Sequence, residues 1–303
     1  MGIEPFDDFC GVEQGGPMGD LEIPESWHEL ATTLRSTAQV AMVLGAQHVG
    51  KSTLIRWLAS ELARGGQRVG LLDADLGQSN VGPPGTVGLA SVRKPFHTYS
   101  ELAPSALFFV GALSPVGHEG ATVTGLTKLM KLARRLGNQT TLVNTSGYLD
   151  PAFVAGGLKA VEPALVIGLE VEGELAGLVP EGATLKTVRP AQAAVRKTDR
   201  ERSSNREESF ARYFDHAQVW AVLPMQVKVQ SPKGVDAPLV PGTLVGLLDG
   251  AGVCHGVGVA LTPSEGCFRI FSPLQSLGNI QKVLTGAYQT SPEQLKLWMS
   301  QSA

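Results

Sequence analysis

Cysteine is nearly absent from this chain: Cys10, Cys254 and Cys267 are its only 3, widely spaced and without a CxxC pair, among 303 residues. That argues against a disulfide framework or a cysteine zinc site, and fits a reducing cytoplasm. Long apolar runs are missing as well, with no stretch near the roughly 18 residues a membrane helix needs. The segment from Met1 to Asp20 carries acids and glycines where a secretory leader would need a basic start and an apolar run. The expectation is a cytoplasmic protein without membrane spans. Positive charge is not in excess either: 25 Lys and Arg face 28 Asp and Glu, for a net charge of −3. This excludes a protein that coats nucleic acid nonspecifically, while a local basic patch can still hold a short strand. No period-based repeat is found.

Glycine is abundant where it has work to do. Gly45-Ala46-Gln47-His48-Val49-Gly50-Lys51-Ser52 follows the apolar run Val40-Ala41-Met42-Val43-Leu44, which suits a buried parallel strand. Gly45 and Gly50 let the backbone turn its N–H groups toward phosphate oxygens. Leu54, Trp57, Leu58 and Leu62 then share one helical face, so the positive end of a helix dipole should lie beside those phosphates. Lys51 would reach the β and γ phosphates, and the Ser52 hydroxyl would ligate Mg²⁺. A merely structural glycine turn before a helix would need neither residue.

Arg68-Val69-Gly70-Leu71-Leu72-Asp73 reads as a second buried strand with an acid at its carboxyl end, where a Mg²⁺-bound water is held in such sites. Asp75 adds another carboxylate. It either caps the turn before Gly77 or accepts a proton from an attacking hydroxyl.

Leu107 to Gly111, Thr140 to Asn144 and Ala164 to Leu169 repeat the buried-strand pattern, with helices expected over residues 125–136 and 152–161 and a short one over 23–34. Alternating strands and helices imply an α/β fold, a mostly parallel sheet flanked by helices with its ligand at the strand carboxyl ends. Residues 1–20 are expected to be disordered. A polar run from Arg196 to Arg206 carries the local positive patch, and from Ala217 onward short apolar runs between Pro and Gly turns suggest a small β-rich domain. The expected division is an N-terminal extension over 1–35, a P-loop domain over 36–215 with an arginine lid at about 190–214, and a β-rich domain over 216–303.

Asp73-x-Asp75-x-Gly77-Gln78, Pro83-Pro84-Gly85-Thr86-Val87-Gly88, Asn144-Thr145-Ser146-Gly147-Tyr148 and the arginine run leading to Phe210 and Tyr213-Phe214 together resemble the polynucleotide 5′-hydroxyl kinase family. That family includes the RNA kinase subunit of the eukaryotic pre-mRNA cleavage complex, the ribosomal-RNA-processing kinases and smaller archaeal and bacterial enzymes. The resemblance runs from about residue 36 to residue 285. It implies γ-phosphate transfer from ATP or GTP, with Mg²⁺, to the 5′-hydroxyl end of RNA or DNA, in RNA processing and with a possible protein partner.

The resemblance also implies roles. Gly45, Gln47, His48, Val49, Gly50, Lys51, Ser52 and Thr53 would bind nucleotide, His48 through its backbone; Ser52, Asp73 and Asp75 would hold the metal. Asp75 would deprotonate the 5′-hydroxyl and Gln78 would help position the acceptor. Tyr148 stands where many members have Trp, and is either a clamp stacked on the terminal base or a ring packed under a loop. Arg202 and Arg206 match the last two lid arginines, while the first is Arg196, Lys197 or Arg200. Guanidinium groups suit this chemistry because each can contact two oxygens as charge spreads over a transferring phosphoryl. His118, after the third strand, is a loop histidine or an acceptor contact. The chain has only about 35 residues before its first strand, where large eukaryotic members carry a β-domain.

Two rivals remain. Arg196-Lys197-Thr198-Asp199 echoes the Asn-Lys-x-Asp guanine-reading tetrad of regulatory GTPases, with Arg in place of the amide. A small-molecule kinase or a nucleotide-loaded scaffold could share the cradle.

Overall fold

Pro24 precedes the first helix, α1 (Glu25–Ser36), whose Trp27, Leu30, Ala31 and Leu34 fall on one buried face. The computed structural model describes residues 22–36, 39–191 and 198–302, so Cys10, Arg196, Lys197 and the segment expected to be disordered lie outside the described residues. Trp27 meets Trp57 of α2 (Lys51–Arg64) at 5.8 Å between ring centroids, which fixes α1 against α2.

Between and after these helices run β1 (Val40–Gly45), β2 (Val69–Asp73), β3 (Thr86–Val92), β4 (Ala106–Phe109), β5 (Thr140–Asn144), β6 (Leu165–Leu169) and β7 (Thr184–Val188). β1, β2, β5 and β6 are almost wholly buried, as their unbroken apolar runs require in a sheet covered on both faces. They pair in parallel in the order β6-β1-β5-β2, with β7 parallel at the far edge. α1 and α2 bury their apolar faces with one side of the sheet; α3 (Glu119–Arg135) and α4 (Pro151–Val161) bury theirs with the other.

α3 begins at Glu119 rather than Gly125, because an acid in its first turn suits the helix dipole and Thr122 buries its side chain. Expected alternation fails at β3, which runs antiparallel to β2. Residues 74–85 contain no helix to carry the chain across the sheet, so it turns back beside the strand it left. Gly88 permits the close return, since a Cβ there would stand 1.9 Å from the Val81 carbonyl oxygen.

The short α5 (Glu174–Gly177) leads toward β7, and α6 (Asp199–Tyr213) carries the arginine run. Thr198 and Glu201 form a capping box at its start. After it come β8 (Gln218–Val222), β9 (Lys228–Gln230), β10 (Thr243–Leu248), β11 (Cys254–Ser264), β12 (Cys267–Ser272), β13 (Lys282–Gln289) and α7 (Pro292–Gln301). The expected boundary near residue 216 falls between α6 and β8, yet the sheet runs on across it. β11 pairs with β4 through Cys254 and Leu107, giving one 13-stranded sheet among the described residues. At this seam the Gly111 carbonyl accepts from the N–H groups of Ala287 and Tyr288 at 2.8 and 2.9 Å. Only glycines fit: Gly111 has φ 78, and a Cβ on it would come 2.5 Å from the Gly286 Cα. The end of α6 is buried here, with Phe210 and Phe214 each 5.2 Å from the Trp298 ring.

Candidate active site

Strand order places the site. β5 lies between β1 and β2, so the loops leaving β1 and β2 open on either side of the β5 carboxyl end, at a crevice typical of ligand sites in open α/β sheets. The loop after β1 turns through left-handed backbone at His48 (φ 68) and Gly50 (φ 85), the latter capping α2. Such successive turns aim N–H groups inward as an anion nest. Gly45 cannot carry a side chain, because a Cβ would lie 2.6 Å from the Leu169 carbonyl oxygen.

Lys51 is buried, and its ammonium donates to the carbonyls of Gly45 at 2.9 Å and Ala46 at 2.7 Å. Burial pulls its pKa down to about 8, an effect opposed by the charges of Asp75 and Asp73. Thr53 follows in the first turn of α2. Val49 is buried against the loop.

Asp73 is fully buried at the end of β2. One of its oxygens accepts from the Asp75 N–H at 3.0 Å and the Asn144 side-chain amide at 2.9 Å; the other accepts from the Asn80 N–H at 2.6 Å. Burial, and then the charge of Asp75, push its pKa up to about 6 against the pull of these hydrogen bonds. Asn80 also donates through its side chain to the Ser52 hydroxyl at 3.3 Å, linking Ser52 to Asp73. The Tyr99 hydroxyl donates to the Ser52 carbonyl at 2.7 Å.

Asp75 does cap the following turn: its Oδ1 accepts from the N–H groups of Gly77 at 3.2 Å and Gln78 at 3.0 Å. That capping leaves Oδ2 for other chemistry, so turn capping and proton acceptance are compatible. Gln78 donates to its neighbour's carbonyl and, at 2.9 Å, to the Arg202 carbonyl of α6. The Arg202 guanidinium in turn donates to the Gln47 Oε1 of the glycine-rich loop at 2.7 Å. Arg206 donates to Ser203 Oγ at 3.3 Å within α6, and Arg200 is exposed in its first turn.

Tyr148 follows Gly147, which packs directly on the loop: a Cβ there would lie 2.2 Å from Gln47 Cγ. The Tyr148 ring is half-buried, stands 5.5 Å from Phe153, and helps line an apolar hollow with Met42, Leu44, Ala74 and Leu126. Desolvation, then Asp150 and Glu119, raise its pKa. His118 precedes α3 and its carbonyl accepts from the Thr122 N–H and hydroxyl, each at 3.0 Å.

The structure thus gathers Gln47, Lys51, Ser52, Asp73, Asp75, Gln78 and Arg202 into one hydrogen-bonded neighbourhood. Sequence reasoning missed the supporting roles of Asn80, Tyr99 and Asn144. Asn144 was reachable in principle, because the parallel order β5-β2 sets it opposite Asp73. Asn80 and Tyr99 carry no spacing signal of their own. The oxygen donors of Ser52, Asp73 and Asp75 fit Mg²⁺, which takes few protein ligands and completes its shell with phosphates and water. No group of three or more His, Cys, Asp or Glu able to hold a metal occurs among the described residues.

A parallel sheet with this loop, helix and acid arrangement defines a P-loop nucleotide-binding protein. The model of the mRNA cleavage and polyadenylation factor CLP1 P-loop matches residues 45–216, and the chain belongs to that family. A polyribonucleotide 5′-hydroxyl-kinase of Pyrococcus horikoshii is 29% identical over 88% of this chain and 90% of its own length. That of Thermococcus kodakarensis is 27% identical over 90% and 94%. Among solved structures, wild-type Clp1p in complex with Pcf11p superimposes with a TM-score of 0.72 at 12% identity, covering 89% of this chain and 80% of that one. The fold is therefore Clp1-like, with a C-terminal β-rich region. No helix among the described residues is long and apolar enough to cross a membrane.

Proposed function

We propose that this protein is a polynucleotide 5′-hydroxyl kinase, moving the γ-phosphate of ATP or GTP to the 5′-hydroxyl end of RNA, and of DNA where the pocket accepts it. The observation that carries the reading is the convergence of Arg202 and Asp75 on the cradle. Gln78, whose N–H binds Asp75, holds the Arg202 carbonyl, while Gln47 of the cradle holds its guanidinium. A base and a lid cation meeting at one phosphate site is what in-line transfer to a hydroxyl requires. Relatives named as polyribonucleotide 5′-hydroxyl-kinases, matching nearly full length, support the same chemistry and favour RNA.

In this mechanism the loop N–H groups and Lys51 hold the β and γ phosphates, and Ser52 and Asp73 would hold Mg²⁺, which would supply charge neutralisation, with Asp75 beside it left to act as the base. Asp75 takes the proton of the incoming hydroxyl through Oδ2, its Oδ1 being fixed by backbone N–H groups. Arg202 and Arg206 meet the charge on the equatorial oxygens. Tyr148 offers its face to the terminal base, and the acceptor contact expected of Arg196 falls outside the described residues. A GTPase switch gains nothing from the tetrad echo, since Thr198 caps α6 and the Asp199 side chain is fully exposed. Neighbours solved as Clp1p–Pcf11p complexes support a protein partner in addition to catalysis.

The test is transfer of labelled γ-phosphate from ATP and GTP to RNA and DNA oligonucleotides with 5′-hydroxyl or 5′-phosphate ends, with Lys51→Ala as control. Label on 5′-hydroxyl ends alone is expected, and Asp75→Asn should lose about 10²–10⁴-fold in rate while keeping nucleotide affinity. Tight nucleotide binding without any label would favour the switch or scaffold.

A further inference from the structure

Arg202 is held from both of its ends by side-chain amides that belong to different motifs. The Gln78 amide donates to its main-chain carbonyl at 2.9 Å, and the Gln47 carbonyl oxygen accepts from its guanidinium at 2.7 Å. Among the described residues its only carboxylate within ion-pair range is Asp199, at a loose 3.6 Å and fully exposed. Gln47 packs closely over Gly147, where a Cβ would stand 2.2 Å from its Cγ and 2.6 Å from its backbone N, so only glycine leaves it this place. The Gln78 backbone is fixed by its N–H on Asp75 Oδ1. Neither amide is required by the phosphate-cradle pattern or by the acid positions.

We propose that Gln47 and Gln78 are positioning residues that register α6 over the phosphate cradle, acting through Arg202. Gln78 sets where the helix turn lies by gripping its backbone. Gln47 keeps the guanidinium at the cradle mouth through one neutral acceptor, which phosphate oxygens replace with charged ones. Exchange of an amide for a phosphate partner strengthens the bond, because charge-assisted hydrogen bonds are roughly twice as strong as neutral ones. The inference rests on the kinase reading, and it moves Gln78 from the acceptor to the lid.

The two bonds predict different signatures in a double-mutant cycle, since one uses the Arg202 side chain and the other its backbone. The experiment measures kcat and KM for ATP and for a 5′-hydroxyl RNA, together with equilibrium binding of mant-ATP. The proteins are wild type, Gln47→Ala, Gln78→Ala, Arg202→Ala and the two doubles with Arg202→Ala. Each glutamine variant should lower kcat/KM for ATP by about tenfold, with KM for RNA within about twofold of wild type. In the Arg202→Ala background, Gln47→Ala should cost nothing further, whereas Gln78→Ala should still cost. Amide hydrogen exchange in the first turns of α6 should quicken in Gln78→Ala alone. A rise in KM for RNA only, from Gln78→Ala, would return that residue to the acceptor and overturn the proposal; so would full additivity of Gln47→Ala with Arg202→Ala. If wild type transfers nothing to RNA, the kinase reading fails, and the cycle is then read on mant-ATP affinity, where glutamine variants binding like wild type would overturn the lid role.

Discussion

At the start of α6, Arg202 is fixed by two amide hydrogen bonds and its side chain keeps 27% of its exposure; at the end, Phe214 is fully buried among Phe210, Phe271 and Trp298. The first kind of contact is directional and exchangeable. A guanidinium can trade an amide oxygen for a phosphate oxygen at little net cost, because its hydrogen bonds are replaced rather than lost. The second kind cannot be traded, since lifting an aromatic ring from that cluster returns its whole surface to water. One helix thus joins a buried anchor in the C-terminal region to a guanidinium over the cradle whose hydrogen-bond partner is exchangeable.

The largest effect should come from the anchor. Phe214→Ala is expected to cost about 3–5 kcal/mol of stability by leaving a cavity among the rings, measured by urea unfolding. A cost under about 1 kcal/mol would show that the helix is not anchored there. Arg202→Ala should do the opposite, lowering single-turnover transfer about 10²–10³-fold with an unchanged urea midpoint. A large drop in stability would erase the distinction between the two ends. Tyr148→Ala should weaken acceptor binding by about 1–3 kcal/mol if its free face stacks on a base; fluorescence titration with a 5′-hydroxyl RNA measures this, and unchanged affinity makes the ring a packing element.

The smallest effect separates the regions by sign. Burial pushes the Cys254 thiol, in the aromatic cluster, from 9.0 up to about 12. Above pH 9 the unfolded chain loses that proton while the folded one keeps it, so stability falls with pH, by at most about 1.4 kcal/mol per unit. Lys51 behaves conversely: its pKa falls from 10.5 to about 8. Between those values the folded chain has released a proton that the unfolded chain retains, so stability rises with pH. Urea unfolding from pH 8 to 10 without nucleotide should find Cys254→Ala less sensitive to alkali than wild type and Lys51→Met more so. Parallel curves would contradict the assignment.

The cradle, both acids and the buried parallel strands were legible because each is local: a glycine spacing, an acid after an apolar run, an unbroken stretch of Val and Leu. What was hidden depends on partners far away in the chain. β7 escaped notice because its exposed residues Thr184 and Thr187, with Lys186 between them, break the apolar run of an inner strand. The antiparallel return of β3 follows from what a loop lacks, which a search for positive signals passes over. The link between Gln78 and Arg202 spans 124 residues, and the distant ring partners of Phe214, Phe271 and Trp298, come from a strand and a helix beyond residue 250. Asn80 looks like any loop asparagine until the fold brings it to Ser52.

The glycine seam at Gly111 and Gly286 joins two parts of the chain that are synthesised far apart in time. During synthesis, a nascent chain that ends before Cys254 already contains the cradle, both acids and every arginine of α6. It has no Phe271, Tyr288 or Trp298 to hold the helix, and no β11 or β13 to close the sheet onto β4. These are contacts of long sequence separation, the kind that form late. Arg202 therefore reaches over Gln47 from a helix whose anchoring rings, Phe271 and Trp298, are among the last residues to be synthesised.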